Sequence, residues 1–157
     1  MLSLPALEKI DREIEKYPPQ HKRSAVMAAL RIAQEEKGWI AIETMDFVAG
    51  YLGVPPIAVY EVASFYTMYD TRPVGRHRIT LCTNLPCALS GAEDISRHLR
   101  GRLNIDFGET SADGGFTLKE GQCFGSCGDA PVVLIDNRRL CGFLTPEKVD
   151  QILAELG

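Results

Sequence analysis

The sequence predicts a mixed α+β and α/β chain, with a helical N-terminal half followed by a compact α/β half. Three observations predict it. Apolar residues recur at helical spacing up to about residue 70. Runs rich in β-branched residues begin only at His77. All five cysteines lie between Cys82 and Cys141, and none precedes them. With 157 residues the chain has room for one ordinary domain or two small ones, and 45% apolar residues suffice for a buried core.

In the first half, Leu7, Ile10, Ile14 and Tyr17 share one helical face, and Pro18-Pro19 ends that helix. Val26, Leu30 and Ala33 mark the inner face of a second helix over about 22–37, with Gly38 placed to terminate it. A third helix covers about 43–52 and is closed by Gly53. A fourth opens at Pro55-Pro56 and runs to Tyr66 or Met68, since proline is tolerated in a first turn. Thr71-Arg72-Pro73-Val74-Gly75-Arg76 reads as a linker, which sets the expected domains at 1–73 and 74–157.

Beyond the linker, His77 to Leu81 forms a short strand leading into Cys82. Ser90 is placed to cap a helix over about 91–103. Phe116 to Lys119 is a second strand. Val132 to Ile135 and Arg138 to Cys141 flank Asp136-Asn137, a pair suited to a tight hairpin. Thr145-Pro146-Glu147 opens a last helix with an apolar face of Val149, Ile152, Leu153 and Leu156. The order strand, helix, strand, strand, strand, helix predicts a layered fold of thioredoxin-like type.

Bulk properties narrow the function classes. A formal charge of −4 and a pI near 5.4 oppose a protein built to bind nucleic acid, which needs a concentrated basic face. No apolar run reaches the roughly 20 residues that span a bilayer. The N-terminus turns acidic almost at once and lacks the basic start of a signal peptide, so the reading predicts a soluble protein of a reducing compartment. There, clustered cysteines are metal ligands or redox groups more often than structural disulfides.

Four of the cysteines form two tight pairs, Cys82-x4-Cys87 and Cys123-x3-Cys127. Each follows a predicted strand. Structural zinc takes four thiolates with two to four residues between paired ligands, so both spacings suit it. Neither pair has the C-x2-C of common zinc knuckles or of dithiol oxidoreductases. A [2Fe–2S] cluster takes two thiolates per iron, and two pairs divide naturally between two irons. Such an anionic group needs backbone N–H donors close by. Gly121, Gly125, Ser126 and Gly128 permit that approach at the second pair, while Thr83 and Asn84 add polar groups at the first. Spacing favours the cluster and leaves zinc open.

Several motifs together carry a resemblance. They are Ala29-Leu30-Arg31-Ile32-Ala33-Gln34 leading to Gly38-Trp39-Ile40, the run Tyr60 to Tyr69, Cys82-Thr83-Asn84-Leu85-Pro86-Cys87 with Gly91, and Cys123-Phe124-Gly125-Ser126-Cys127 leading to Ala130-Pro131. On these the chain resembles the small iron–sulfur subunit family of NADH–quinone oxidoreductase, respiratory complex I, whose members are 24-kilodalton-type thioredoxin-like [2Fe–2S] ferredoxins. The resemblance implies a helical N-terminal domain before the ferredoxin domain, and the composition break at residues 71–76, with no candidate ligand before it, makes that helical half the expected docking domain. It implies that Cys82 and Cys87 hold one iron of a [2Fe–2S] cluster and Cys123 and Cys127 the other. It also implies a partner subunit that binds flavin mononucleotide (FMN) and NADH within a larger translocase, peripheral on the cytoplasmic side of a bacterial inner membrane. This chain would then be an electron-transfer subunit without an active site of its own. The equivalent subunit of an NAD-linked formate dehydrogenase or bidirectional hydrogenase is the alternative within the family, and a zinc-bound interaction module the alternative outside it. Gly121-Gln122 stands where an acidic residue is expected before Cys123, which bears on the tuning of the potential.

The remaining features have plainer readings. The chain has no G-x-G-x-x-G segment after a strand and no P-loop, so no dinucleotide site is predicted. Residues 47–66 look like a helix-turn-helix, but Ile57 to Tyr66 offers no arginine, lysine, asparagine or glutamine to base edges. Cys141 reads as a buried inert thiol. His21, His77 and His98 read as solvated surface. The aromatic run from Phe65 to Tyr69 reads as part core and part interface.

Overall fold

The computed structural model describes residues 1–157, which divide into two compact units, Met1–Pro73 and Val74–Gly157.

The first unit is all helical. Helix α1 (Leu4–Ile14) starts at Ser3, whose hydroxyl accepts the Ala6 N–H. It ends before Tyr17, earlier than the apolar spacing suggests. A 3-10 run (Pro19–Ala25), broken by His21 at φ −115°, takes up what the sequence assigns to the start of the second helix. The paired prolines cannot donate to a helical ladder, so the regular α2 (Val26–Lys37) begins only at Val26. Gly38 closes it at φ +82°. Helices α3 (Ile42–Leu52) and α4 (Pro56–Phe65) follow, with α4 ending at Phe65 where Tyr66 turns extended.

Ile10, Val26, Leu30, Ile40, Val48, Leu52 and Val59 fill the core of this unit. Gln34 is buried on α2, a polar residue that helical spacing does not single out. Its amide donates to Met68 O at 2.9 Å and accepts the Asp70 N–H at 2.7 Å, fastening the end of the unit to α2. Within the aromatic run, Tyr69 belongs to the core, with its hydroxyl donating to Met27 O at 2.8 Å, whereas Phe65 is 77% exposed.

The second unit holds a four-stranded sheet in the order β2-β1-β3-β4. Strand β1 (His77–Cys82) is parallel to β2 (Phe116–Gly121) and antiparallel to β3 (Val133–Ile135), which pairs antiparallel with β4 (Arg139–Cys141). A parallel pair needs a crossover, and here it contains α5 (Leu85–Leu89) and α6 (Ala92–Leu103). Helix α7 (Pro146–Leu156) ends the chain, capped by the Thr145 hydroxyl, which accepts the Lys148 N–H. Asp136 and Asn137 both take positive φ in the β3–β4 hairpin, as its turn chemistry requires. Ile79, Leu81, Leu99, Leu118 and Ile135 make the main core.

Three features depart from the sequence reading. Helix α5 falls in a stretch to which the sequence reading assigns no element. Ser90 does not cap α6: its hydroxyl bonds Pro86 O at 2.8 Å within α5, and Gly91 at φ +94° takes the N-cap position. His77 and His98 are half-buried rather than simply solvated. Their ring nitrogens lie 2.8 Å from Asp136 and 2.9 Å from Asp150 respectively.

Candidate metal centre

The two cysteine pairs follow neighbouring parallel strands, and the register brings them together. Cys82 is the last residue of β1 and stands opposite Gly121, the last of β2. The chain leaves both strands at the same end, so the segments 82–87 and 121–127 start side by side. The Thr83 N–H donates to Gly121 O at 2.9 Å, which extends the pairing one residue past the strand end. On its other side the Cys82 N–H donates to Val132 O at 3.0 Å. Cys82 is therefore gripped by backbone from both flanks.

The first pair is buried. Cys82 and Cys87 are 3% and 2% exposed and pack in a small apolar cluster with Ala92 and Val132, against which Phe124 and Ala130 rest. Cys87 reaches this cluster because α5 turns the chain back after Cys82. The Cys82 thiol points at Gln122 O, 3.5 Å away. The second pair differs: Cys123 and Cys127 are both exposed. Gly125, at φ +72°, directs its N–H at Cys123 Sγ, 3.4 Å away, and a short 3-10 turn (Cys127–Asp129) carries Cys127.

Electrostatics links three of the four thiols. Burial pushes the Cys87 thiol above its ordinary range. A hydrogen bond with Cys82 and the negative charges that Cys82 and Cys127 can carry push it the same way, against a lowering contribution from the Val132 backbone. A thiol raised in this way resists becoming a thiolate unless a cation shares its charge. No three Cys, His, Asp or Glu side chains are gathered closely enough to hold a single metal ion. Cys141 is 8% exposed on β4, away from the small apolar cluster, in the main core of the sheet.

These features fit an iron–sulfur cluster. Two pairs on adjacent loops, one N–H aimed at a cysteine sulfur and a positive-φ glycine between the exposed thiols suit a group that takes four thiolates and close backbone donors. Sequence reasoning missed the contribution of Phe124, whose ring covers Gly121. A β-carbon at Gly121 would sit 2.9 Å from Thr80 Cγ2 and closer still to Phe124 Cζ. An aromatic next to a cysteine, shortly beyond a strand-ending glycine, is the signal that could have found it.

The fold and the thiol arrangement define an iron–sulfur ferredoxin class, and comparison with known proteins gives the family. Residues 10–157 match the model for the thioredoxin-like [2Fe-2S] ferredoxin family, and the chain belongs to it. The chain is 42% identical over 144 residues to the E subunit of the NADH-quinone oxidoreductase of Rickettsia bellii, covering 91% of this chain and 86% of that protein. It is 40% identical over 132 residues to the mitochondrial NADH dehydrogenase [ubiquinone] flavoprotein 2 of Dictyostelium discoideum, covering 83% of this chain and 53% of that protein. Among solved structures, an NAD+-reducing [NiFe]-hydrogenase shares the fold, with a TM-score of 0.69 and 21% identity. The match covers 81% of this chain and 22% of that one. The resemblance read from the motifs is upheld. No helix is long and apolar enough to cross a membrane.

Proposed function

We propose that the chain is the small electron-transfer subunit of an NADH–quinone oxidoreductase, with Cys82, Cys87, Cys123 and Cys127 holding one [2Fe–2S] cluster. The observation that carries the reading is the β1–β2 register, which starts both cysteine segments from the C-terminal ends of two adjacent parallel strands. The relative from Rickettsia bellii, at 42% identity over most of both chains, supports it. When bound, such a cluster supplies one-electron storage. This chain's residues hold it and leave one side open: Cys82 and Cys87 with Val132 and Ala92 form a dry floor, and the exposed Cys123 and Cys127 face outward.

The partner in this reading is a subunit that binds FMN and NADH. Hydride transfer moves two electrons at once, and a flavin is needed to divide them. The helical unit is the docking element. Ile57, Tyr60 and Phe65 on α4 are 61%, 50% and 77% exposed, an unusual load of bare apolar side chains on one helix. The assembly is peripheral to a membrane.

Reduction by two donors, followed by electron paramagnetic resonance, tests this function. Dithionite should produce the signal of a reduced [2Fe–2S] centre in the isolated chain. NADH should do so only once the flavin-bearing subunit is added, and Phe65→Ser should weaken co-purification with that subunit while leaving the dithionite signal intact. Rapid reduction by NADH of the flavin-free chain would overturn the assignment.

A further inference from the structure

The segment that carries the exposed cysteines rests on two glycines of the second unit, one near each end, and Phe124 also packs on the cluster around Cys82 and Cys87. At its start the Phe124 ring lies against Gly121 at the end of β2, where a side chain would meet Phe124 and Thr80. At its far end Asp129 lies against Gly142, just beyond β4. A β-carbon on Gly142 would stand 2.5 Å from Asp129 Cβ and 2.7 Å from Asp129 O. No real pair of atoms tolerates that approach, so only glycine permits it. The neighbouring bonds reinforce this second contact. The Phe143 N–H donates to Asp129 O, and the Ser126 hydroxyl donates to Asp129 Oδ2 at 2.6 Å. The Lys148 ammonium donates to Gly142 O at 2.6 Å, securing the glycine to α7. Phe143 takes φ +50° although it is neither glycine nor asparagine, a backbone cost accepted at this point of contact.

We propose that Phe124 and Asp129 are positioning residues, which clamp residues 123–129 onto Gly121 and Gly142 and so fix the exposed Cys123 and Cys127 relative to the buried Cys82 and Cys87. The inference rests on the ligand assignment above. Its physical basis is the asymmetry of the site. The buried pair is set by the core, whereas the exposed pair has no core around it. Something other than burial must hold its two sulfurs in place, and the two glycine contacts do so from either end of the loop. Groups that orient ligands without touching the metal typically change affinity by about 10–100-fold when removed.

The test uses the full chain in four variants: Phe124→Ala, Phe124→Leu, Gly142→Ala and, as a remote control on α6, Gly101→Ala. Iron and sulfide analysis of the unaltered chain comes first and decides the ligand reading by itself. Three readouts follow: the rate of cluster loss to a chelator, the resonance line shape of the reduced protein, and thermal unfolding of the metal-free chain. Phe124→Ala and Gly142→Ala should lose the cluster about tenfold faster or more and broaden or shift the resonance. Phe124→Leu should recover most of the difference, and Gly101→Ala should match the unaltered chain. The metal-free melting temperature of Phe124→Ala should change little. The clamp is wrong if Phe124→Ala keeps the original loss rate and line shape. It is equally wrong if the metal-free melting temperature falls in step with cluster loss, because Phe124 would then only support the fold. Should Gly142→Ala fail to fold, the two Phe124 variants decide the matter.

Discussion

The two cysteine pairs sit at one end of the sheet and are built on opposite principles. Cys82 and Cys87 lie in a dry pocket with Ala92 and Val132; backbone bonds to β2 and to the segment before β3 hold the chain at Cys82, and α5 carries Cys87. Cys123 and Cys127 are open to solvent, on a segment with no regular structure apart from one short 3-10 turn. The first pair is positioned by the same packing that folds the unit. The second is positioned by local devices: a positive-φ glycine, an N–H aimed at sulfur, and two side chains seated on glycines. In the proposed role, a site that holds an ionic group and exchanges electrons with a partner gains from this division. One side excludes water, and the other leaves the group within reach.

Substitution at each pair should break the comparison most sharply. In the metal-free chain, Cys87→Ser places a hydroxyl in a 2% exposed apolar pocket. It should cost about 1–3 kcal/mol, because the more polar hydroxyl is desolvated there. Cys123→Ser should alter metal-free stability by no more than about 0.5 kcal/mol, as at other exposed sites. Denaturant unfolding of both apoproteins measures the difference. Equal costs would mean that the buried and exposed descriptions of the pairs are wrong.

Alkylation of the native metal-free chain should sharpen the same contrast. Cys123 and Cys127 are exposed, whereas Cys87 is both buried and held above the usual thiol range by its surroundings. The thiolate is the reacting species. Iodoacetamide at mildly alkaline pH should therefore label Cys123 and Cys127 first and Cys87 last, as followed by peptide mass mapping. Early labelling of Cys87 would show that its pocket opens.

Much of this was legible in the sequence because the deciding signals are local. The strand preceding Cys82, the Asp136-Asn137 turn and the Thr145-Pro146 cap each depend on a few adjacent residues, and each appears where expected. Helix α5 was not legible: five residues with a proline at the start leave no period to read. The shortened first helix and the 3-10 run reflect Pro18-Pro19 acting on both sides, an effect the apolar spacing of Tyr17 disguises. At the site, the four ligand candidates follow from residue type and spacing. Which pair is buried does not, since it depends on α5 folding back with Ala92 and on Val132 arriving from a distant segment. The Phe124–Gly121 and Asp129–Gly142 contacts are likewise tertiary, and a glycine alone does not announce what will rest on it.

The central claim is that the two unlike pairs serve one cluster, and metal analysis of protein purified without oxygen tests it most directly. The unaltered chain and Cys141→Ser should both carry iron and acid-labile sulfide in equal amounts. Each should give the resonance of a reduced [2Fe–2S] centre with dithionite, because Cys141 lies in the main core away from the site. Cys82→Ser, Cys87→Ser, Cys123→Ser and Cys127→Ser should each lose that centre or disturb it severely. Colourless unaltered protein containing zinc and no sulfide, or full iron and an unchanged resonance in Cys123→Ser, would contradict the account.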